Sequence, residues 1–460
     1  MSTFQIISPS TGEVIHERNY HTDQSIQKAA EVASKAQKYW KNVSIHERAK
    51  LCKKAVQYFK KHADAWGEEL THMMGRPIRY TANEILGGFV ERANYMIDIA
   101  EESLADISAT EKTGFLRYIK REALGTVLVL APWNYPYLTS VNAIIPALMA
   151  GNAVILKHAE QTALCAERYA EAFDHAGLPP GVFQFLHMNH EQVAALIGDP
   201  NIDHVAFTGS VAGGHAVHQQ VANRFISAGL ELGGKDPAYV REDADLPMAI
   251  ENLVDGSFFN SGQSCCGVER IYVHKSVFDA FVVGFVALTR QYKLGDPLDP
   301  ETTIGPMVRV HNAQMAEQQI AEAIKAGATP LIQTSDFPLM SLPFLAPQVL
   351  INVNHTMSLM TEESFAPIVG IMAVQDDDEA IRLMNDSVYG LSASIWTKDP
   401  EKAIAIGNQV ETGTWYMNRC DYLDPELAWT GVKNSGKGCT LSSIGYETLT
   451  RPKSFHLKLK

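Results

Sequence analysis

The sequence predicts an α/β protein: a parallel-sheet domain, a second α/β domain and a small β unit. Three observations predict it. Short apolar runs alternate with amphipathic helical stretches from residue 125 onward, and the rhythm restarts after residue 235. Two segments with period-two alternation, 116–122 and 453–460, stand apart from both blocks. A chain of 460 residues also exceeds what one hydrophobic core usually supports.

In chain order, residues 23–64 read helical, because Ala29, Ala30, Val32, Ala33, Ala36 and Trp40 recur at helix spacing. Leu51, Ala55, Val56 and Phe59 continue the pattern. Thr126-Val127-Leu128-Val129-Leu130 reads as a buried strand, followed by a Pro-Trp-Asn turn and a helix that runs to Ala150. Residues 152–156, 182–186 and 204–207 read as further strands, with helices over 163–175 and 190–197. The fourth strand ends in Thr208-Gly209-Ser210 and another helix. Strands alternating with helices imply right-handed crossovers, an architecture that commonly binds nucleotides. In the second block, helix 246–258 leads into a cysteine-bearing loop, strand 270–273 and helix 277–292.

Composition narrows the function classes. The formal net charge of -13 argues against non-specific binding to nucleic acid or anionic membranes. The apolar region 125–156 is interrupted by Pro132, Pro136 and Pro146, which fits buried strands and helices better than a membrane span. The first residues lack the basic start and apolar run of a signal peptide. Cys52, Cys165, Cys265, Cys266, Cys420 and Cys439 show no metal-ligand spacing, and the adjacent pair suits a disulfide poorly. Reduced thiols, a cytoplasmic location and no metal follow as expectations.

Two short motifs carry chemistry. Phe258-Phe259-Asn260-Ser261-Gly262-Gln263-Ser264-Cys265-Cys266 places a thiol just past a glycine-bearing turn, and Leu230-Glu231-Leu232-Gly233-Gly234-Lys235 offers a lone carboxylate upstream. Together they suit covalent chemistry at a carbonyl: a thiolate adds, and a carboxylate later activates water against the thioester. Taken singly, Cys265 could be a buried apolar residue and Glu231 a salt-bridged strand end. Both motifs and their spacing resemble the signatures of the non-acylating NAD(P)-dependent aldehyde dehydrogenase superfamily.

The resemblance covers nearly the whole chain and implies a role for each matching residue. Cys265 would be the nucleophile, Glu231 the general base, and Cys266 a pocket-lining residue. Asn134, in Pro132-Trp133-Asn134-Tyr135-Pro136, would donate to the oxyanion; by itself it also suits an Asx-turn cap. G-x-G-x-x-G and G-x-x-x-x-G-K-[ST] fingerprints are absent. In their place, Gly209, Ser210 and Gly214 at a helix start would receive a pyrophosphate, with Trp133 and Leu232 beside the cofactor. Lys157 and Glu160 match the ribose-binding pair, and a carboxylate there favours NAD over NADP. Glu363 and Phe365, in Glu362-Glu363-Ser364-Phe365-Ala366-Pro367, match the grip on the nicotinamide side.

The implied layout is a Rossmann-like cofactor domain over 1–105 and 124–232, a catalytic domain over 233–438, and an oligomerisation flap over 106–123 and 445–460. A homodimer or homotetramer acting on a small aldehyde is expected. One departure is Ala428-Trp429-Thr430-Gly431, where the family usually has Pro-Phe-Gly-Gly. The substrate stays open. Arg419 would suit a distal carboxylate, although the succinate-semialdehyde branch carries its arginine where this chain has Asn142. Asp421, Asp424 and Glu426 with Tyr422 would suit a cation instead, and Tyr135, Tyr137 and Leu138 suggest an aromatic throat. The competing readings are a succinate-semialdehyde dehydrogenase, a coenzyme-A-acylating dehydrogenase and a catalytically silent relative.

Overall fold

The computed structural model describes residues 2–459; Met1 and Lys460, which end two predicted segments, lie outside the described residues. A six-stranded sheet runs in the order Phe183–Phe185, Ala153–His158, Thr126–Ala131, His204–Thr208, Ser227–Glu231, Gly436–Lys437. All neighbours are parallel except the last pair. Thr126–Ala131 is buried at every position, as a central strand covered on both faces must be. Its alternation serves two cores. Val127 and Val129 pack with Trp40, Tyr137 and Tyr169, whereas Leu128 and Leu130 pack with Ile26, Ala30 and Val217.

This strand order positions the site. From Thr126–Ala131 the chain builds outward on one side, then returns to the other side with His204–Thr208. Loops leaving the carboxyl ends of strands diverge at such a reversal and leave a crevice between them. Here those loops are Pro132-Trp133-Asn134 and Gly209-Ser210.

The second sheet has seven strands, in the order Thr329–Pro330, Gln348–Ile351, Ile368–Val374, Val268–His274, Asp236–Val240, Ser392–Trp396, Thr414–Met417. Only residues 232–235 separate Ser227–Glu231 from Asp236–Val240. So short a link forces the carboxyl end of the first sheet against the amino ends of the second. The loops entering three of those strands carry Gly233 and Gly234, Cys265, and Glu363 with Phe365. The segment Gly436–Lys437, from the end of the predicted catalytic domain, crosses back to the edge of the first sheet.

The two detached alternating segments pair with each other: Phe115–Ala123 runs antiparallel to Thr450–Lys458 over its whole length. Tyr118 and Phe455 stack at 4.6 Å on this ribbon, and Ile107, Leu116 and Leu457 stay exposed. Elsewhere the structure departs from expectation. The helix predicted over 23–64 is broken, into Asp23–Trp40, Ile45–Lys61 and the start of Ala63–Met74, with Ser44 capping the second by accepting from the Glu47 N–H. Residues that the periodicity left unread form Ile78–Asn83, a π-helical turn Glu84–Phe89 and Val90–Asp98. Gly88 in that turn lies so close to Leu138 that a Cβ would sit 2.3 Å from its Cδ1. No helix among the described residues is long and apolar enough to cross a membrane.

Candidate active site

A cavity of about 440 Å³ lies where the two sheets meet, and Cys265, Cys266, Glu231, Leu232, Tyr135 and Leu138 are among its lining residues. The loop before Cys265 is strained. Asn260 and Ser261 hold φ values of 54° and 57°, and Gly262 follows at 68°. Left-handed backbone costs a non-glycine residue roughly 1–2 kcal/mol, and hydrogen bonds offset it. Asn260 Nδ2 donates to the Gln263 carbonyl at 3.1 Å, and the Ser261 hydroxyl donates to the Gly305 carbonyl at 2.9 Å. Position 262 must be glycine, because a Cβ would come within 2.2 Å of the Ala366 carbonyl oxygen.

A buried ion pair ties this loop to the opposite wall. Arg76 Nη1 and Glu84 Oε2 lie 2.5 Å apart, with both side chains 1% exposed. Arg76 Nε donates to Asn260 Oδ1 at 3.0 Å, its Nη2 donates to the Asn134 carbonyl, and its guanidinium stacks over Tyr135. Glu84 Oε1 accepts from the Tyr137 and Leu138 N–H groups at 2.8 and 3.0 Å. That fills the open donors at the start of helix Pro136–Met149. One pair therefore holds the π-helical turn, the Asn134 loop and the cysteine loop together.

Asn134 is buried and donates from Nδ2 to the Gln263 carbonyl at 3.3 Å, two residues before Cys265. Glu231 ends its strand facing the cavity. Its Oε1 accepts from the Thr440 hydroxyl at 2.5 Å and its Oε2 from Thr208 at 3.3 Å. Burial raises the pKa of this carboxyl above the usual carboxylate range. Trp429, in the segment that departs from the family pattern, pairs its backbone with Thr440 and so sets the hydroxyl on Glu231. Cys266 donates to Asp421 Oδ1 at 2.9 Å; its contact with Cys265, then burial, push its thiol pKa up.

On the cofactor side, Trp133 and Phe365 meet edge to face at 5.6 Å. Phe365 has a φ of 49° and is held by Glu269, whose Oε1 accepts its N–H at 2.8 Å. Lys235 donates to the same buried carboxylate at 2.5 Å and to the Ser364 hydroxyl at 2.9 Å. Glu363 accepts from the Gly234 N–H at 3.0 Å, and burial pushes its pKa up to about 7. A Cβ at Gly233 would fall 2.3 Å from that carboxylate. Ser210 caps helix Val211–Val221 by accepting from the Gly213 N–H at 3.2 Å, and Gly209 precedes it. Gly214 and Leu232 touch across a smaller cavity of about 170 Å³. Lys157 is the penultimate residue of its strand, with its pKa lowered by burial, and Glu160 accepts from the Tyr20 hydroxyl at 2.6 Å. A dinucleotide fits this set: Glu363 keeps lone pairs for ribose hydroxyls, and the helix start has N–H groups for phosphate.

Some expected substrate residues lie elsewhere. Arg419 is exposed and stacks on the Tyr422 ring at 3.6 Å, because a cation finds the ring face more easily than a buried anion there. Asp424 and Glu426 are exposed and form their own turn, while Asp421 and Tyr422 do line the cavity. Tyr137 is fully buried in the first core and is no part of the throat, whereas Tyr135 and Leu138 are. Arg76, Glu84, Lys235, Glu269, Thr208 and Thr440 escaped the sequence reading as supports of the site. Only Lys235 and Thr208 stood inside a recognised motif.

Residues 1–455 match the model of the aldehyde dehydrogenase family. The succinate semialdehyde dehydrogenase [NAD(P)+] of Escherichia coli (strain K12) is 32% identical over 441 residues, 95% of this chain and 94% of that protein. The NADP-dependent glyceraldehyde-3-phosphate dehydrogenase of Bacillus halodurans C-125, solved with NADP, superimposes with a TM-score of 0.94 at 32% identity, covering 100% of this chain and 96% of that one. An NAD-dependent aldehyde dehydrogenase from Sinorhizobium meliloti gives 0.95 at 30%, covering 100% and 92%. The chain belongs to the aldehyde dehydrogenase family. It is an oxidoreductase that acts on aldehydes with NAD(P). These relatives differ in using NAD(P), NADP or NAD, so they do not support the expected preference for NAD over NADP.

The buried pair yields a prediction. Arg76→Met strands Glu84 as an unpaired buried charge, and roughly 3–5 kcal/mol of stability should be lost. Chemical denaturation of parent and variant measures it; a loss below about 1 kcal/mol would contradict the role assigned to the pair.

Proposed function

We propose that this protein oxidises a small aldehyde to its carboxylate through a covalent thioester on Cys265. The observation that supports it best is that Cys265 and Glu231, delivered by opposite sheets, face one cavity. The Cys265 thiolate adds to the carbonyl carbon, and the new oxyanion is stabilised by Asn134 Nδ2 and the Cys265 N–H. Asn134 Nδ2 spends one of its two N–H groups on the Gln263 carbonyl and has the other for the oxyanion. The bound nicotinamide supplies the acceptor for the hydride. Glu231 then removes a proton from water, the resulting hydroxide adds to the thioester carbon, and collapse expels the Cys265 thiolate with the carboxylic acid as product. Raised above an ordinary carboxylate, Glu231 is a stronger base for that proton.

Trp133 and Phe365 are assigned to the nicotinamide, Glu363 to its ribose, and Gly209, Ser210, Gly214 and Leu232 to the phosphate end. Lys157 and Glu160 are assigned to the adenosine ribose. Glu160 supports NAD, because its fixed negative charge opposes a 2′-phosphate. Lys157 and the NADP-using relatives weigh the other way, so we infer that both cofactors are used and that Glu160 sets the ratio. The exposed apolar ribbon around Tyr118 and Phe455 supports a homodimer or homotetramer. Acyl transfer to coenzyme A is disfavoured by Glu231, which would hydrolyse the thioester.

Three measurements test this reading. Cys265→Ala should lose at least ~10³-fold in aldehyde-dependent NADH formation while keeping the parent's circular dichroism; unimpaired turnover would remove the nucleophile assignment. Glu231→Gln should give one NADH per active site in a burst, then turn over ~10²–10⁴-fold more slowly. In the parent, activity should be present above the raised Glu231 pKa and fall as pH drops through it, an acid limb absent from the variant. Glu160→Gln should raise the NADP-to-NAD ratio of kcat/KM by roughly 10-fold; an unchanged ratio would place the ribose elsewhere.

A further inference from the structure

One charged group on the substrate cavity has no part in the chemistry above. Arg92, on helix Val90–Asp98, lines the cavity with Cys265 and Glu231 although it is only 5% exposed. Its Nη1 donates to the Leu138 carbonyl at 2.8 Å and to Asn142 Oδ1 at 3.3 Å. These two oxygens are its hydrogen-bond partners among the described residues, and Arg92 Nε and Asn142 Nδ2 are both buried with none. A guanidinium cannot shed its charge, and a buried one without a counter-ion is costly unless an anion completes it.

None of the other charges on the cavity forms an ion pair with Arg92 among the described residues. Arg76 is neutralised by Glu84. Glu91 accepts from the Tyr422 hydroxyl at 2.7 Å, and Asp421 accepts from Cys266 and from Ser264 at 3.1 Å. Glu231 is held by its two threonines, and Asp255, also on the cavity, makes no ion pair with Arg92 among the described residues. Asn142 contributes the acceptor that steers the guanidinium, leaving the rest of its donor edge for a ligand. Arg92 lines the same cavity as Cys265, Cys266 and Glu231, so it stands near the reacting centre.

We propose that Arg92 is the carboxylate-binding residue of this pocket, and that the substrate is a short oxo acid whose far carboxylate pairs with the guanidinium while its aldehyde carbon reaches Cys265. Nearness to the thiol limits the chain to a few carbons between the two groups. The guanidinium repels a cation at its own end of the cavity, and Arg419 on its aromatic ring has no share in the grip. The assignment rests on the reading of Cys265 given above.

The test compares 4-oxobutanoate with butanal, which has the same carbon count and no carboxylate, in the parent, Arg92→Met and Arg92→Lys. Succinate and butanoate binding is measured by calorimetry on the same proteins, with melting curves to confirm folding. The parent should favour 4-oxobutanoate by roughly 30-fold in kcat/KM, a typical yield for a charge-assisted hydrogen bond. Arg92→Met should erase that preference through KM and abolish succinate binding, and Arg92→Lys should restore part of both. Equal losses for both aldehydes, with a shifted pH profile, would make Arg92 a thiol-tuning group and overturn the proposal. So would butanoate binding to the parent as tightly as succinate. Arg92-dependent succinate binding without oxidation of any aldehyde would keep the carboxylate site and remove the redox reading instead.

Discussion

The buried contact between Arg76 and Glu84 is what the active site depends on. It joins a π-helical turn, the loop after the first central strand and the cysteine loop, which lie far apart in sequence. Taking two charges out of water is expensive, and a pair like this adds little net stability by itself. Its value is geometric. The guanidinium has donors in fixed directions, and each finds an acceptor on a different segment. Asn134 and Cys265 are thus set against one framework, and neither loop can shift without stranding a charge.

Lys235 and Glu269 serve the second sheet in the same way. Glu269 gathers two consecutive backbone N–H groups, at Ser364 and Phe365, and keeps Phe365 in its left-handed backbone conformation. Strain in that loop and in the cysteine loop is offset by buried polar contacts rather than by packing. Both loops enter strands of the second sheet at their amino ends, directly facing the carboxyl ends of the first. The cysteine loop, Glu231 and the loop carrying Glu363 and Phe365 therefore meet across a seam created by the short link at residues 232–235.

Within the cavity, charge is distributed unevenly. Glu231, Glu91 and Asp421 each accept hydrogen bonds from neighbouring hydroxyl or thiol groups, whereas Arg92 donates only to neutral oxygens. At Trp429, where the sequence departs from the family's usual motif, the backbone pairs with Thr440, whose hydroxyl donates to Glu231.

Much of this was legible in the chain. Thr126–Ala131 shows as an unbroken apolar run because both its faces are covered, and the ribbon of Phe115–Ala123 with Thr450–Lys458 shows as alternation because one face is open. The chemistry-bearing residues Cys265, Glu231 and Asn134 were readable because each sits in a short local motif. Arg76, Glu84 and Arg92 were not: Arg76 sits in the short Gly75-Arg76-Pro77 link between helices, Glu84 and Arg92 lie on a helical run interrupted by glycines and a π-helical turn, and a buried charge looks like a solvated one in sequence. Arg419 shows the converse, since an exposed arginine looks in sequence like one that could line the pocket. The sequence by itself determined the α/β class and the family. Only the tertiary structure decided which charges are paired, which face the cavity and which is left without a partner, because pairing depends on contacts between segments that no local spacing records.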